Sequence, residues 1–209
     1  MKNKKIIVFD FDGVLFDSTE VTMDFSRENF PGITDDEIRD LHLGNIYKTT
    51  ESFNKPKVVE TEEEKLKRWD RYTQRKFAVT MYPGIKELVQ KLSQDAILTI
   101  NTSAWNNTTL PLLEKSGIKE SFSLVVTSDM SMDKVEKFRI IGNHFNTDPK
   151  EFVFITDSLG DVVAAQELGI PTIAVLWGMH TKKYFKEEPH PNIIGFAETV
   201  EELEKHLTI

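Results

Sequence analysis

Cysteine is absent from the 209-residue chain. That excludes disulfides, thiolate zinc sites and cysteine nucleophiles together, and it fits a reducing compartment. Long apolar runs are missing too: no stretch approaches the roughly 20 residues a membrane helix needs. Met1 to Phe9 is basic and then only briefly apolar, too short for a signal-peptide core. Positive charge is scarce, with 26 lysines and arginines against 34 aspartates and glutamates, a net charge of −8. A surface of that sign repels nucleic acid and anionic lipid, so a phosphate-bearing ligand needs a local positive site. His42, His144, His180, His190 and His206 show no ligand spacing, and none is assigned to a metal. The remaining composition, 39% hydrophobic and 29% charged, is that of a folded soluble chain. The expectation is a cytoplasmic monomer or homodimer with no nucleic-acid or membrane partner, built as one large domain or a domain with an insert.

What is present is an alternation. Lys5-Ile6-Ile7-Val8-Phe9 is a continuous apolar run, the pattern of a parallel strand covered on both faces. Similar runs recur at Ala96–Ile100, Leu124–Thr127, Phe152–Thr156 and Thr172–Leu176. Helical periods lie between them at Gly84–Ser93, Thr108–Ser116, Val135–Phe145 and Asp161–Leu168, punctuated by Pro83-Gly84, Gly117, Gly142, Pro149, Gly169 and Pro171. This order predicts an α/β fold with a doubly wound parallel sheet. Residues 16–81 break the rhythm. They contain amphipathic segments near Thr19–Phe30, Thr34–Leu43 and Glu60–Phe77 and no convincing strand. A small all-α cap inserted after the first strand is therefore predicted, with residues 1–15 and 82–209 forming the core.

The acids at the strand ends carry the chemistry. Asp10-Phe11-Asp12-Gly13-Val14-Leu15 follows the first strand, where open α/β sheets place their ligands. Taken alone, an Asp-x-Asp-Gly is more often a turn. A second acidic pair, Asp157 and Asp161, follows the run ending at Thr156. Helix capping explains one such acid, not two acid-tipped strands. If the sheet is parallel, these carboxylates share one edge and repel by several kcal/mol at an effective dielectric of ~20. A hard divalent cation lets them coexist, and oxygen-only ligands favour Mg²⁺. Asn101-Thr102-Ser103 ends another strand with a hydroxyl and N–H groups suited to phosphate oxygens. Lys134 and Lys137 open the helix after Thr127. A surface lysine is usually unremarkable, but the charge of this site calls for a fixed cation, and Lys134 is the candidate.

These motifs, in this order, resemble the haloacid dehalogenase-like superfamily, in its phosphoglycolate phosphatase and β-phosphoglucomutase branch with a helical cap. Asp10 to Leu15 resembles the first motif, Thr102 with Asn101 and Ser103 the second, Lys134 the third, and Asp157 with Asp161 the fourth. Phe16-Asp17-Ser18, Tyr82-Pro83-Gly84 and Val175-Leu176-Trp177-Gly178 add to the likeness. The departures are Asn101 preceding Thr102, Val135 after Lys134, and Thr156 before Asp157. Whether Asn101 or Thr102 fills the second-motif position stays open. The resemblance implies a Mg²⁺-dependent phosphatase acting on a small phosphorylated metabolite through an aspartyl-phosphate. In it Asp10 is the nucleophile and Asp12 the general acid and base. Thr102 and Lys134 complete the catalytic set, and Gly13, Asn101 and Ser103 contact substrate. Asp10, the Asp12 carbonyl and Asp157 hold the metal, with Asp161 in or beside that set. A phosphosugar mutase of the same branch keeps the same acids, and a catalytically silent binding protein on this fold is the other alternative. A receiver-like signalling domain is disfavoured, because its phosphoacceptor follows a later strand. In the insert His42, Asn45, Tyr47 and Lys48 are weak specificity candidates, with packing or surface the more ordinary reading.

Overall fold

The computed structural model describes residues 4–186 and 189–207. Met1–Asn3, part of the stretch weighed above as a targeting segment, lie outside them. The strands are β1 (Ile6–Phe9), β2 (Ile97–Asn101), β3 (Phe122–Val126), β4 (Val153–Thr156), β5 (Thr172–Val175) and β6 (Ile193–Ala197). They form one sheet in the order β3-β2-β1-β4-β5-β6, every pairing parallel. This is the doubly wound α/β architecture that the alternation predicts.

Period two along β1 divides the core. Ile7 and Phe9 join the apolar cluster beneath α5 (Ile85–Asp95), α6 (Asn106–Ser116) and α9 (Val200–Leu207). Ile6 and Val8 point the other way, into the cluster holding Phe138 and Ile141 of α7 (Lys134–Phe145) and Ala165 of α8 (Leu159–Gln166). Both faces are covered, which is why the strand reads as an unbroken apolar run. The helices begin where local chemistry allows. Asp133 accepts from the N–H groups of Val135 and Glu136 to start α7, and Gly84, at φ +85°, turns the chain into α5.

Between β1 and α5 lie α1 (Thr19–Asn29), α2 (Asp35–Leu41), α3 (Ile46–Ser52) and α4 (Glu62–Ala78). Thr34 with Glu37 and Thr61 with Glu64 form reciprocal capping boxes that open α2 and α4. Met23, Phe30, Ile33, Ile38 and Leu41 build an apolar cluster there, joined by Met179 from beyond β5. The chain enters and leaves this helical segment side by side, since Asp17 N–H donates to the Thr80 carbonyl (2.9 Å) and Tyr82 N–H to that of Leu15 (3.1 Å).

Three elements go beyond the sequence reading. α3 begins where a break between helices is expected, because the Asn45 side chain caps it by accepting from the N–H groups of Tyr47 and Lys48. β6 and α9 are absent from that reading. β6 is an edge strand interrupted by Gly195, where a Cβ would stand 2.7 Å from Cε1 of His206 in α9. The close approach needs a glycine, and the glycine weakens the strand signal. Among the described residues no helix is long and apolar enough to cross a membrane.

Candidate active site

The strand order places β1 between β2 and β4, the point at which successive connections run to opposite sides of the sheet. Ligands of open α/β sheets bind outside the strand ends at that switch point. Asp10 follows β1, Asn101 ends β2 and Asp157 follows β4, so the three reach one edge. Lys134, the first residue of α7, arrives there from the β3 side. Its Nζ lies 3.0 Å from Oδ1 of Asp10. It also donates to Oδ2 of Asp161 (2.6 Å) and to the Asn101 carbonyl (2.9 Å). Thr156 donates to the same Asp161 oxygen at 3.0 Å. Asp157 Oδ2 accepts from the N–H of Met179 at 2.6 Å.

Asp12 is turned away from this cluster. Its Oδ1 accepts from Ser18 Oγ at 2.6 Å and forms an ion pair with Nζ of Lys76, in the last turn of α4. Two carboxylates two residues apart thus face two different cations, Lys134 at the start of α7 and Lys76 in the last turn of α4.

Several sequence-read residues have tasks other than those anticipated. The N–H of Gly13 closes the turn onto the Phe16 carbonyl at 3.0 Å. It is therefore engaged within the protein, and what matters is the missing side chain: a Cβ on Gly13, at φ +70°, would overlap Asp157 Oδ2, and one on Gly178 would do the same. Asn101 is buried, and its amide donates to the Lys134 carbonyl (3.1 Å), which ties β2 to α7. Thr102, the next residue, turns its Oγ1 to the Ala104 N–H at 3.0 Å. Ser103 offers its carbonyl to Tyr47 Oη at 2.9 Å. Asp161 is occupied by Lys134 and Thr156, which makes it an anchor for the lysine rather than a free metal ligand.

A model of the haloacid dehalogenase-like hydrolase family matches residues 7–175, most of the chain and all of this edge. The chain belongs to the haloacid dehalogenase-like hydrolase family. It is 31% identical to a phosphoglycolate phosphatase of Agrobacterium fabrum over 120 residues, 56% of this chain and 52% of that protein. That match spans about half the length of the relative. A phosphoglycolate phosphatase of Synechococcus elongatus is 22% identical, with 85% of this chain and 86% of that one covered. Among solved structures, a haloacid dehalogenase-like family protein of Streptococcus pneumoniae superposes with a TM-score of 0.76 at 19% identity, over 99% of this chain and 100% of that one. At that identity the likeness is one of fold.

In this haloacid dehalogenase-like hydrolase, burial governs the charges. It pushes the Asp10 carboxyl well above the usual range, helped by Asp161 and Asp157 and opposed by Lys134. Burial likewise raises Asp157 to about 7, against the hydrogen bond from Met179. Burial also disfavours ionised Asp161, but the Lys134 charge and its hydrogen bonds outweigh that and hold it low. Lys134 stays cationic because Asp10 and Asp161 overcome its desolvation.

Which of these groups could hold a metal follows from what else they touch. Among the described residues no group of three or more His, Cys, Asp or Glu side chains forms a ready ligand set. Asp157 is buried, has no ion pair among the described residues, and its carboxylate fills the space that side chains on Gly13 and Gly178 would take. An unbalanced buried carboxylate beside Asp10 is a setting that a hard cation would balance, and the donors are all oxygen. The residues fit a divalent cation held by two carboxylates with main-chain oxygen, and Asp161 is not needed.

Sequence reasoning missed Lys76 altogether, because its partner is 64 residues away in the chain. It also undervalued the turn after α2. His42 offers its carbonyl to Gly160 N–H (3.0 Å) and to Ser158 Oγ (3.0 Å). A Cβ on Gly160 would stand 2.8 Å from that carbonyl. His42 Nε2 is buried without a partner among the described residues, and burial lowers the ring to about 4. Asn45 Nδ2 donates to the Met132 carbonyl at 3.1 Å, and Tyr47 Oη also lies 2.7 Å from Ser128 Oγ. Lys48 is exposed. His180 is structural: Nδ1 accepts from Leu159 N–H (2.9 Å), so Nε2 donates to the Arg39 carbonyl (3.0 Å).

Proposed function

We propose that the chain is a cytoplasmic phosphatase that hydrolyses a small-molecule phosphomonoester with the help of Mg²⁺, residues 16–81 acting as a cap over a core of residues 1–15 and 82–209. The observation that carries this reading is the division between Asp10 and Asp12. Asp10 is buried with the Lys134 ammonium 3.0 Å from its Oδ1 and Asp157 close by, so that lysine and a bound cation would hold it ionised as a nucleophile that meets a phosphate. Asp12 stands outside that charge cluster, against Ser18 and Lys76. Relatives that are phosphoglycolate phosphatases support the same reading.

Asp10 attacks phosphorus, the bond from phosphorus to the alcohol oxygen breaks, and the phosphoryl group is left on the Asp10 carboxylate. Asp12 hands a proton to the departing oxygen. It then takes one from the water that attacks the phosphoryl group, which frees phosphate and restores Asp10. Lys134 supplies fixed positive charge beside the attacking oxygen, and Asp161 and the Asn101 carbonyl keep it there. Asp10, Asp157 and the main-chain carbonyl of Asp12 would hold the magnesium ion. When bound, it neutralises charge between carboxylate and phosphate oxygens. Thr102 and Ser103 shape the loop that receives the phosphate.

Phosphate release from 2-phosphoglycolate and a panel of phosphorylated metabolites, with Mg²⁺ and after chelation, tests this. Metal-dependent release is expected, abolished in Asp10→Asn and reduced by about 10²–10⁴ in Asp12→Asn. Equal turnover in wild type and Asp10→Asn overturns it.

A further inference from the structure

Four cationic side chains are buried among the described residues: Arg68, Lys76, Lys134 and Lys137. A buried charge needs a close partner. Arg68 pairs with Glu60, Lys76 with Asp12, and Lys134 with Asp10 and Asp161. Lys137 is the exception. It lies in α7, one turn beyond Lys134, at 0% exposure and with no ion pair among the described residues. A lysine carries three N–H donors and a charge that desolvation penalises. Here it donates to one acceptor, the Thr102 carbonyl. Burial lowers it to about 7, Lys134 adding to the effect and Asp161, Asp10 and Asp133 opposing it. Packing gains nothing from a charge at that place, so its use lies in what it touches.

Thr102 belongs to the loop that follows β2, and the main chain there is tied down on both sides of one peptide group. Thr102 N–H donates to the Val126 carbonyl and Ala104 N–H to Thr102 Oγ1, both at 3.0 Å. The Ser103 carbonyl accepts from Tyr47 Oη and from Ser128 Oγ, both at 2.9 Å. Between these contacts the N–H of Ser103 has no partner among the described residues, and Ser103 is only half-buried. That N–H and the Thr102 carbonyl are the two ends of a single, resonance-stabilised peptide group. A cation on the oxygen draws electron density from the nitrogen and makes the N–H a stronger donor. The same loop begins at Asn101, whose carbonyl accepts from the Lys134 ammonium that lies against Asp10. The polarised N–H therefore belongs to the edge at which the acids gather.

We infer that Lys137 is a positioning residue for the phosphoryl group, acting through the Thr102–Ser103 peptide: its ammonium holds the Thr102 carbonyl and sharpens the Ser103 N–H as a donor to a phosphate oxygen. The inference rests on the phosphatase reading above and adds a second cation to it. Lys134 works beside the attacking carboxylate. Lys137 works from behind the loop, without touching the ligand.

The test compares wild type with Lys137→Met at about pH 6, where the ammonium keeps its proton. The variant is expected to be the more stable protein, since a desolvated charge is gone, and the weaker binder of phosphate. A lysine needed only for folding gives the reverse. With Mg²⁺ present, the Kd of inorganic phosphate and the KM for the best substrate of the panel above rise by about 5- to 30-fold, while kcat stays within about threefold of wild type. In wild type, phosphate moves the Ser103 amide proton downfield in a nitrogen–proton correlation spectrum; in the variant that proton starts further upfield and moves less. Unchanged phosphate affinity, a loss confined to kcat, or a Ser103 amide that ignores phosphate in wild type overturns the inference and leaves the phosphatase reading intact. Should Lys137→Met fail to fold, Lys137→Gln, which keeps a donor for the Thr102 carbonyl without the charge, takes its place under the same outcomes. Hydrolysis of no phosphoester at all overturns both.

Discussion

Asn101 and Lys134 hold each other twice: the Asn101 amide donates to the Lys134 carbonyl at 3.1 Å, and the Lys134 ammonium donates back to the Asn101 carbonyl at 2.9 Å. The first bond fixes the start of α7 against the end of β2, and the second fixes the cation that α7 carries. Replacing Asn101 by Leu keeps the volume and removes the amide that ties the Lys134 carbonyl, otherwise bonded only within α7, to the end of β2. A stability loss of about 0.5–1.5 kcal/mol is expected, together with lower kcat as the ammonium loses its register on Asp10. Denaturant unfolding and steady-state kinetics on one preparation check both.

Gly13 occupies a left-handed conformation, φ +70°, and its missing Cβ is what leaves Asp157 its place. Gly13→Ala combines backbone strain of about 1–2 kcal/mol with overlap on that carboxylate, so Asp157 has to move. The expected outcome is a lower Tm and loss of most Mg²⁺-dependent activity. Gly169, also at positive φ but with nothing near its Cβ position, is the control: Gly169→Ala has only the strain to bear and keeps its activity.

Asp157 is buried, unpaired among the described residues and pushed up to about 7 by that burial. Asp157→Asn keeps an acceptor for the Met179 N–H and removes the charge. Without metal, the variant is expected to be more stable than wild type at pH 8 by ~1–3 kcal/mol, because a desolvated charge is gone. Ligands stabilise the state they bind, so Mg²⁺ raises the Tm of wild type and not that of Asp157→Asn. Thermal unfolding with and without Mg²⁺ separates the two effects.

Lys137, one turn beyond Lys134, is wholly buried and donates to the Thr102 carbonyl. Burial lowers it to about 7, and the charge of Lys134 adds to the effect against Asp161, Asp10 and Asp133. From there up to its ordinary value of 10.5, the unfolded chain holds this proton and the native chain does not. Stability therefore rises with pH across that window, at up to about 1.4 kcal/mol per unit from this group. Below it both states are protonated and the contribution is flat. Lys137→Met removes the slope and stabilises most at and below neutrality. Urea midpoints for both proteins between about pH 6 and pH 9 give the difference, and parallel curves would refute it.

Some of this was legible in the residues alone, because its causes are local. Ile6 to Phe9 and Phe152 to Thr156 read as buried parallel strands since continuous apolar runs bounded by turn residues have few other solutions. Acids directly after such runs fall at a sheet edge wherever the sheet goes, so Asp10 and Asp157 could be named from the residues alone, and Lys134 from the positive charge they call for. The fold class and the order of motifs were written into the chain by periodicity and punctuation. What only tertiary structure decided are the pairings between distant segments: Lys76 on Asp12, His42 on Gly160, Asn101 on Lys134, and the glycines that make room for Asp157. A sequence shows that a residue carries a charge, a donor or no side chain. Which partner satisfies it, once water is excluded, is set by how helices and strands far apart in the chain come to share one small volume.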